Sequence, residues 1–166
     1  MDKPPRCTLR ELNESDAAFA LQLTTDDAWL RFIGDRGVTD LASAKDFILN
    51  GIRPAYSIPN MGLMGIVDET TQALVGVCGL LQRDYLPHPD LGFALLPEAR
   101  GKGFVQSAAA LCLAKAADEG ITKLFAITTQ DNQSSQSALL KLGFRADGFS
   151  EVEGETLQRF VMGLSR

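Results

Sequence analysis

The sequence Arg100-Gly101-Lys102-Gly103-Phe104-Val105 lies at the centre of residues 89–144, the segment that decides the fold. The pattern there predicts a strand, a glycine-rich turn, an alanine-rich helix, a second strand and a segment ending at Lys141-Leu142-Gly143-Phe144. Gly101 and Gly103 can adopt positive φ, and successive N–H groups in such a turn converge on one point. The first N–H groups of the following helix are unpaired and lie at the positive end of its dipole. Because Arg100 and Lys102 add positive charge, we predict that residues 100–105 bind a pyrophosphate group.

Two common phosphate-binding motifs do not match this turn. No Gly-Lys-Ser/Thr closes a run with four residues between glycines, so the turn is not a nucleotide-kinase P-loop. The third glycine of a Gly-x-Gly-x-x-Gly dinucleotide motif is absent as well. Taken alone, the turn is also compatible with an ordinary loop before a helix.

The turn resembles the Arg/Gln-x-x-Gly-x-Gly/Ala turn of the GNAT superfamily of acetyl-CoA-dependent N-acetyltransferases. Arg100 and Gly103 occupy matching positions, while Val105 replaces the usual Gly or Ala and would tighten the pocket. Other parts of the sequence resemble one branch of this superfamily, the branch that contains ribosomal-protein N-terminal acetyltransferases. The matching residues and segments are Asn132, Ser135, Leu139, Lys141-Leu142-Gly143-Phe144, Gly34-Asp35-Arg36-Gly37, Cys78-Gly79-Leu80 and Arg83-Asp84.

The resemblance implies an α/β fold (an α+β mixed sheet) formed as a single domain over residues 1–166. The GNAT fold has a twisted mixed sheet of about seven strands, helices on both faces, and two parallel strands that splay apart. The strands predicted at residues 90–96 and 123–129 should form that pair, because a helical crossover joins them.

The splayed pair implies a binding mode for acetyl-CoA, the implied acyl donor. Leu95 and Leu96 would offer unpaired backbone groups to the pantetheine arm. One N–H near Ala94 or Leu95 would face the thioester carbonyl. Asn132 would hydrogen-bond the arm, and Ser135 would lie near the sulfur or the pantetheine. The alternatives are a helix cap for Asn132 and a first-turn residue without a ligand for Ser135.

The implied reaction is direct attack of a primary amine, on a small molecule or a protein N-terminus, on the thioester. An α-amine has a pKa of about 7.7–8.0, so a weak base acting through water suffices. Asp84 and Asp90 are the candidate bases, with a turn or cap role as the alternative for each. Leu139 replaces the tyrosine that many relatives use to protonate the leaving thiolate, and Ser135 or Ser137 is the candidate donor. A non-catalytic acyl-CoA-binding sensor or scaffold domain stays open as the alternative function.

Composition restricts the other function classes. The net charge of −5 without a basic run argues against nucleic-acid binding, and no apolar run or N-terminal h-region predicts a membrane span or signal peptide. His88 lies between two prolines without a metal-ligand cluster. The three cysteines, Cys7, Cys78 and Cys112, are predicted to be buried thiols in a reducing cytoplasm. A homodimer paired through the last strands is a further expectation.

Three local predictions concern the walls of the site. A helix is predicted from Asp40 to Asn50, closed by Gly51 at the position after its end, with loop through residue 60. An acidic loop, residues 151–155, is predicted between the last two strands. If Glu151, Glu153 and Glu155 bordered the acceptor groove they would favour a cationic acceptor, and otherwise they are solvated.

Overall fold

The computed structural model describes residues 4–165, which form one seven-stranded mixed sheet with strand order β1-β2-β3-β4-β5-β7-β6. Met1–Lys3, part of the segment predicted to lack a signal peptide, lies outside the described residues. The strands are β1 Cys7–Arg10, β2 Gly62–Asp68, β3 Leu74–Leu81, β4 Asp90–Leu95, β5 Lys123–Thr129, β6 Arg145–Val152 and β7 Glu155–Gly163.

Within residues 4–165, five α-helices connect these strands. They are α1 Ala17–Thr24, α2 Asp27–Phe32, α3 Leu41–Asp46, α4 Phe104–Asp118 and α5 Gln133–Leu142. The predicted mixed α/β architecture is confirmed. No helix between residues 4 and 165 is long and apolar enough to span a bilayer. The cytoplasmic location stays a prediction.

The helices cover opposite faces of the sheet. The alternation of side chains along β3 separates the two cores: Cys78 and Leu80 pack with α4 and α5, whereas Val77 packs with α1, α2 and α3. Small residues such as Ala108 and Ala109, both fully buried, let α4 lie close to the sheet. Ala94 faces the α1–α3 side of β4, so Asp90 and Gly92 face that side as well.

The parallel strands β4 and β5 are joined at one end only. Within residues 4–165 their ladder has a single register pair, Asp90 with Phe125, where the Phe125 N–H donates to the Pro89 carbonyl at 2.9 Å. Beyond it, β4 stays paired with β3 and β5 with β7. The predicted splayed pair is therefore confirmed.

The prediction that Gly51 ends the third helix is wrong. After α3 the chain continues as a wider, π-helical segment, Phe47–Ile52, with Gly51 inside it. A Cβ on Gly51 would lie 2.9 Å from Cδ1 of Phe47, so the missing side chain makes room for that ring instead of ending the helix. A 3₁₀ helix, Arg53–Ser57, replaces the first part of the predicted loop, because a proline in the first turn needs no N–H partner.

The acidic connection between the last strands is a tight turn rather than a five-residue loop. β6 extends to Val152 and β7 begins at Glu155, which leaves Glu153 and Gly154 at positive φ of 50° and 81°. Two consecutive positive φ values are typical of a type I′ hairpin turn. β6 is an edge strand on which Phe149 is 57% exposed, and the predicted homodimer pairing there stays a prediction.

Candidate active site

A cavity of about 760 Å³ lies between the splayed strands and is lined from both faces of the sheet. We call its two parts the α4 lobe and the α2 lobe. The α4 lobe is lined by Val105, Asn132, Ser134, Ser135 and Leu139, and the α2 lobe by Leu23, Trp29, Phe32, Phe47, Leu63, Asp90 and Gly92. Of the residues predicted from the sequence, those lining the cavity are Asp90, Leu95, Arg100, Val105, Asn132 and Ser135.

The glycine-rich turn has the conformation predicted for an anion site. Gly101 and Gly103 have φ of 75° and 92°, and Gly103 immediately precedes α4 without a side-chain cap. A Cβ on Gly101 would meet no atom within 4 Å, and one on Gly103 would meet Cδ of Pro5 at 3.2 Å. The first N–H groups of α4 have no partner within the helix, and a glycine turn of this conformation before a helix N-terminus is typical of an anion site.

The two cations of the turn differ in their partners. Lys102 is exposed and has no ion-pair partner within the described part of the chain. The guanidinium of Arg100 is bonded to the Asp26 carboxylate and donates to the Leu95 carbonyl at 3.1 Å. Arg100 thus ties α2 to the end of β4, and a phosphate ligand would compete with Asp26 for it.

Asn132 and Ser135 lie at the N-terminus of α5. Oδ1 of Asn132 accepts the N–H of Ser135 at 3.2 Å, so Asn132 is the helix cap, and both residues also line the cavity. The cap uses only the amide oxygen, which leaves the Nδ2 group of Asn132 for a ligand. Ser134 lines the same lobe and was not singled out from the sequence.

The backbone groups of Leu95 and Leu96 point in different directions. The Leu96 N–H donates to the Val75 carbonyl on β3 at 2.9 Å, so it is not free for a ligand. N–H groups alternate sides along an antiparallel strand, and the N–H of Leu95 therefore points toward the gap beside β5. Leu95 lines the cavity, whereas Leu96 is buried in the α1–α3 core.

Asp90 is the buried carboxyl group of the cavity, with 1% of its surface exposed. Burial raises the pKa of Asp90 to about 6, and the nearby Arg83 guanidinium partly opposes that shift, with Nε 3.0 Å from Oδ1. Asp84, the other candidate base, is exposed and is not among the residues lining the cavity. The structure thus separates two carboxylates that sequence reasoning treated alike.

Helix α2 spans the open end of the splay. Its N-terminal cap, Asp26, holds Arg100 beyond β4, and Arg31 pairs with Asp131 beyond β5 at 3.0 Å. Trp29 of the same helix lines the α2 lobe, and its indole N–H is buried without a partner within residues 4–165. None of these α2 contacts was predicted, because the sequence carries no signal for ion pairs 74 and 100 positions apart.

The other reactive groups lie away from the cavity. His88 packs against the ring of Phe125 at 5.9 Å, and no cluster of three or more potential metal ligands occurs within residues 4–165. Cys7, Cys78 and Cys112 are buried free thiols in the α4 core, as predicted, and none lines the cavity.

Comparison with known proteins identifies the class. The family described as Acetyltransferase (GNAT) domain matches residues 6–145, and the chain belongs to this family. The protein is an N-acetyltransferase, and its acyl donor is acetyl-CoA. A Bacillus subtilis (strain 168) protein named Uncharacterized N-acetyltransferase YoaA is 24% identical over 147 residues, which span 86% of this chain and 81% of that relative.

Solved structures share the fold at lower sequence identity. RimL, a ribosomal L7/L12 α-N-protein acetyltransferase in complex with coenzyme A, has a TM-score of 0.80 and 17% identity, covering 95% of this chain and 94% of that one. The spermidine N-acetyltransferase from Vibrio cholerae, in complex with CoA and spermine, has a TM-score of 0.75 and 16% identity, covering 95% of each chain.

Proposed function

We propose that this protein acetylates a primary amine, on a small molecule or a protein N-terminus, by direct attack on the thioester of acetyl-CoA. The observation that carries the proposal is a cavity between the two splayed strands. Val105, in the first turn of α4 just after the glycine turn, lines it on one face of the sheet, and a buried carboxyl group, Asp90, lines it on the other. Such a cavity lets two substrates meet from opposite faces of the sheet.

The α4 lobe would hold the acyl donor. The N–H groups of Gly101, Gly103 and the first turn of α4 bind the diphosphate, and Lys102 adds charge. The Leu95 N–H faces the thioester carbonyl and stabilises negative charge that develops on its oxygen. Nδ2 of Asn132 donates to the pantetheine arm. When bound, acetyl-CoA supplies the activated acetyl group.

Asp90 would be the general base. A carboxylate with a pKa of about 6 is mostly ionised at neutral pH, yet it is a better proton acceptor than an ordinary aspartate. The proton of the acceptor ammonium passes to Asp90, directly or through water, before the amine nitrogen forms the new C–N bond. As the C–S bond breaks, the thiolate takes a proton from Ser135 or from water, and that donor recovers the proton that the amine nitrogen loses as it becomes an amide.

No covalent acetyl-enzyme is part of this mechanism. The three cysteines are buried away from the cavity, and both tyrosines, Tyr56 and Tyr85, also lie outside its lining. A thiol leaving group with a pKa of about 8.5 departs with little assistance, which suits leucine at position 139.

Release of free coenzyme A, measured with a panel of amines and peptides, tests the proposal. The expected result is turnover on at least one acceptor. The rate should depend on the concentrations of both substrates, and mass spectrometry should find no acetylated protein. Binding of acetyl-CoA by calorimetry without turnover on any acceptor would favour the sensor or scaffold function instead.

A further inference from the structure

The α2 lobe has a composition that restricts the chemistry of the acceptor. Its walls are mostly apolar or aromatic, formed by Leu23, Trp29, Phe32, Phe47 and Leu63. Gly92 contributes no side chain, and a Cβ there would meet Leu81 and Leu63 only at ordinary contact distances of 3.5 and 3.6 Å. The lobe therefore has room for an apolar group next to Asp90.

The charged groups lining the cavity leave an excess of positive charge. They are Asp26, Arg36, Arg83, Asp90 and Arg100. Both carboxylates are already paired, Asp26 with Arg100 and Asp90 with Arg83. Arg36 is exposed and has no ion-pair partner within residues 4–165. Among the described residues that line this cavity, a polycation would find no unpaired carboxylate, whereas an anionic group would find the guanidinium of Arg36.

The indole N–H of Trp29 also favours a ligand that carries a hydrogen-bond acceptor. Trp29 is 5% exposed and lines the lobe, and its indole N–H has no acceptor within the described chain. A buried N–H without a partner is costly, so a ligand oxygen would stabilise it. The Trp29 N–H lacks an acceptor and the exposed Arg36 lacks a carboxylate partner among the described residues, so both can bind a carbonyl or carboxylate oxygen, which a polyamine does not have.

We propose that the acceptor is an α-amine attached to an aromatic or branched apolar group and followed by a carbonyl or carboxylate that Arg36 and Trp29 bind, and that it is not a polyamine. This inference rests on the proposed function and narrows it. The same chemistry occurs in a free hydrophobic amino acid and in the N-terminal residue of a peptide.

The test measures kcat/KM for free coenzyme A release by the full chain with four acceptors: L-leucine, the dipeptide leucyl-aspartate, L-leucinamide and spermidine. We expect the two carboxylate-bearing acceptors to exceed leucinamide, and leucinamide to exceed spermidine about tenfold. A larger value for leucine than for the dipeptide identifies a free amino acid as the source, and the reverse order identifies a peptide.

Two variants locate the effect. Arg36→Gln should lower kcat/KM about tenfold for the two carboxylate-bearing acceptors, the size of one hydrogen bond to a charged group, and by a smaller factor for leucinamide, whose amide oxygen is neutral. Trp29→Phe keeps an aromatic ring but removes the indole N–H. It should lower kcat/KM for all three leucine acceptors but not for spermidine. Arg145→Gln, at an exposed arginine of the distant β6, is the matched control and should change nothing.

Failure of the inference and failure of the function are distinguishable. Spermidine turnover equal to or above that of the leucine compounds, or an unchanged preference in Arg36→Gln, overturns the acceptor assignment while amine acetylation stands. Unimpaired acetyl-CoA binding without turnover of any of the four acceptors overturns the acceptor assignment, and absence of turnover across the whole panel of amines and peptides overturns the function as well.

Discussion

The two lobes of the cavity are built in different ways. The α4 lobe is formed mainly by segments that lie close together in the chain: the first turn of α4, directly after the glycine turn, and the cap and first turn of α5. The α2 lobe relies on side chains from α1, α2, the π-helical segment, β2 and β4, which are far apart in sequence. As proposed above, the α4 lobe and the adjoining glycine turn bind the acyl donor, whereas the side chains of the α2 lobe contact the acceptor. We therefore expect changes in the α2 lobe to alter the acceptor and the chemistry, and changes in the α4 lobe to alter acetyl-CoA affinity.

The largest expected effect separates chemistry from donor binding. Asp90→Asn should lower kcat by about 100-fold or more, within the range for a positioned general base, with acetyl-CoA affinity unchanged. Asp147→Asn is the matched control, because Asp147 pairs with Nε of Arg159 at 3.1 Å on β6 and β7, away from the cavity. Equal kcat values for the two variants would remove Asp90 from the mechanism.

The pH dependence of Asp90 gives a second measurement on the same variant. Because the ionised form is the base, kcat of the wild type should rise with pH through about 6, and this limb should be absent in Asp90→Asn. The folded-state pKa lies above the unfolded value of about 3.9, so the wild type should lose stability relative to Asp90→Asn as pH rises from about 4 to about 6. Thermal unfolding over that range checks the sign, and a difference that is constant with pH would contradict it.

The next effect concerns the α4 lobe. Gly103→Val should weaken acetyl-CoA binding by about 100-fold or more, because a β-branched residue disfavours φ of 92° and two hydrogen bonds to a charged group are each worth about 1.5–3 kcal/mol. Gly120→Val introduces the same strain at φ of 81° just beyond the other end of α4 and should leave affinity unchanged. If titration calorimetry gave the same affinity for both variants, the phosphate assignment would be wrong.

A smaller effect is expected at Asn132. Asn132→Ala should cost about 1 kcal/mol of stability through loss of the α5 cap and weaken acetyl-CoA binding about tenfold through loss of one amide donor. Asp40→Ala removes the cap of α3, where Asp40 accepts the N–H of Ser43 at 2.8 Å, and should show the stability loss alone. Parallel unfolding and binding curves for the pair separate the two roles, and equal affinities would reduce Asn132 to a structural cap.

The smallest expected effect is at Asp84. Because this carboxylate is exposed and outside the lining of the cavity, Asp84→Asn should keep kcat within about twofold of the wild type, as surface substitutions usually do. A steady-state assay at pH 7 decides the matter. A loss comparable to that of Asp90→Asn would move the base to the loop before β4.

The sequence was sufficient for the parts of the molecule that depend on local chemistry. The glycine turn, the alanine-rich helix and the parallel crossover produce patterns within residues 89–144, and the structure has all of them. Asn132 was identified both as a cap and as a cavity residue for the same reason, since its position before α5 fixes both roles.

Features that depend on tertiary contact were missed. Asp84 and Asp90 have the same side chain, and only the fold buries one and exposes the other. The ion pair of Arg100 with Asp26 joins residues 74 positions apart, so no local pattern predicts it. Gly51 was assigned as a helix end from its residue type, whereas its actual role depends on the ring of Phe47.

The absent side chain at Gly51 also suggests how substrate preference can change within this fold. The ring of Phe47 occupies the space that a methyl group at position 51 would need, and its edge contacts Trp29 with ring centroids 6.5 Å apart. Replacing one hydrogen by a methyl group would displace Phe47 and, through it, the indole that lines the cavity. We therefore expect a single-nucleotide mutation at Gly51 to change the preference for the acceptor amine while the affinity for the coenzyme is unchanged.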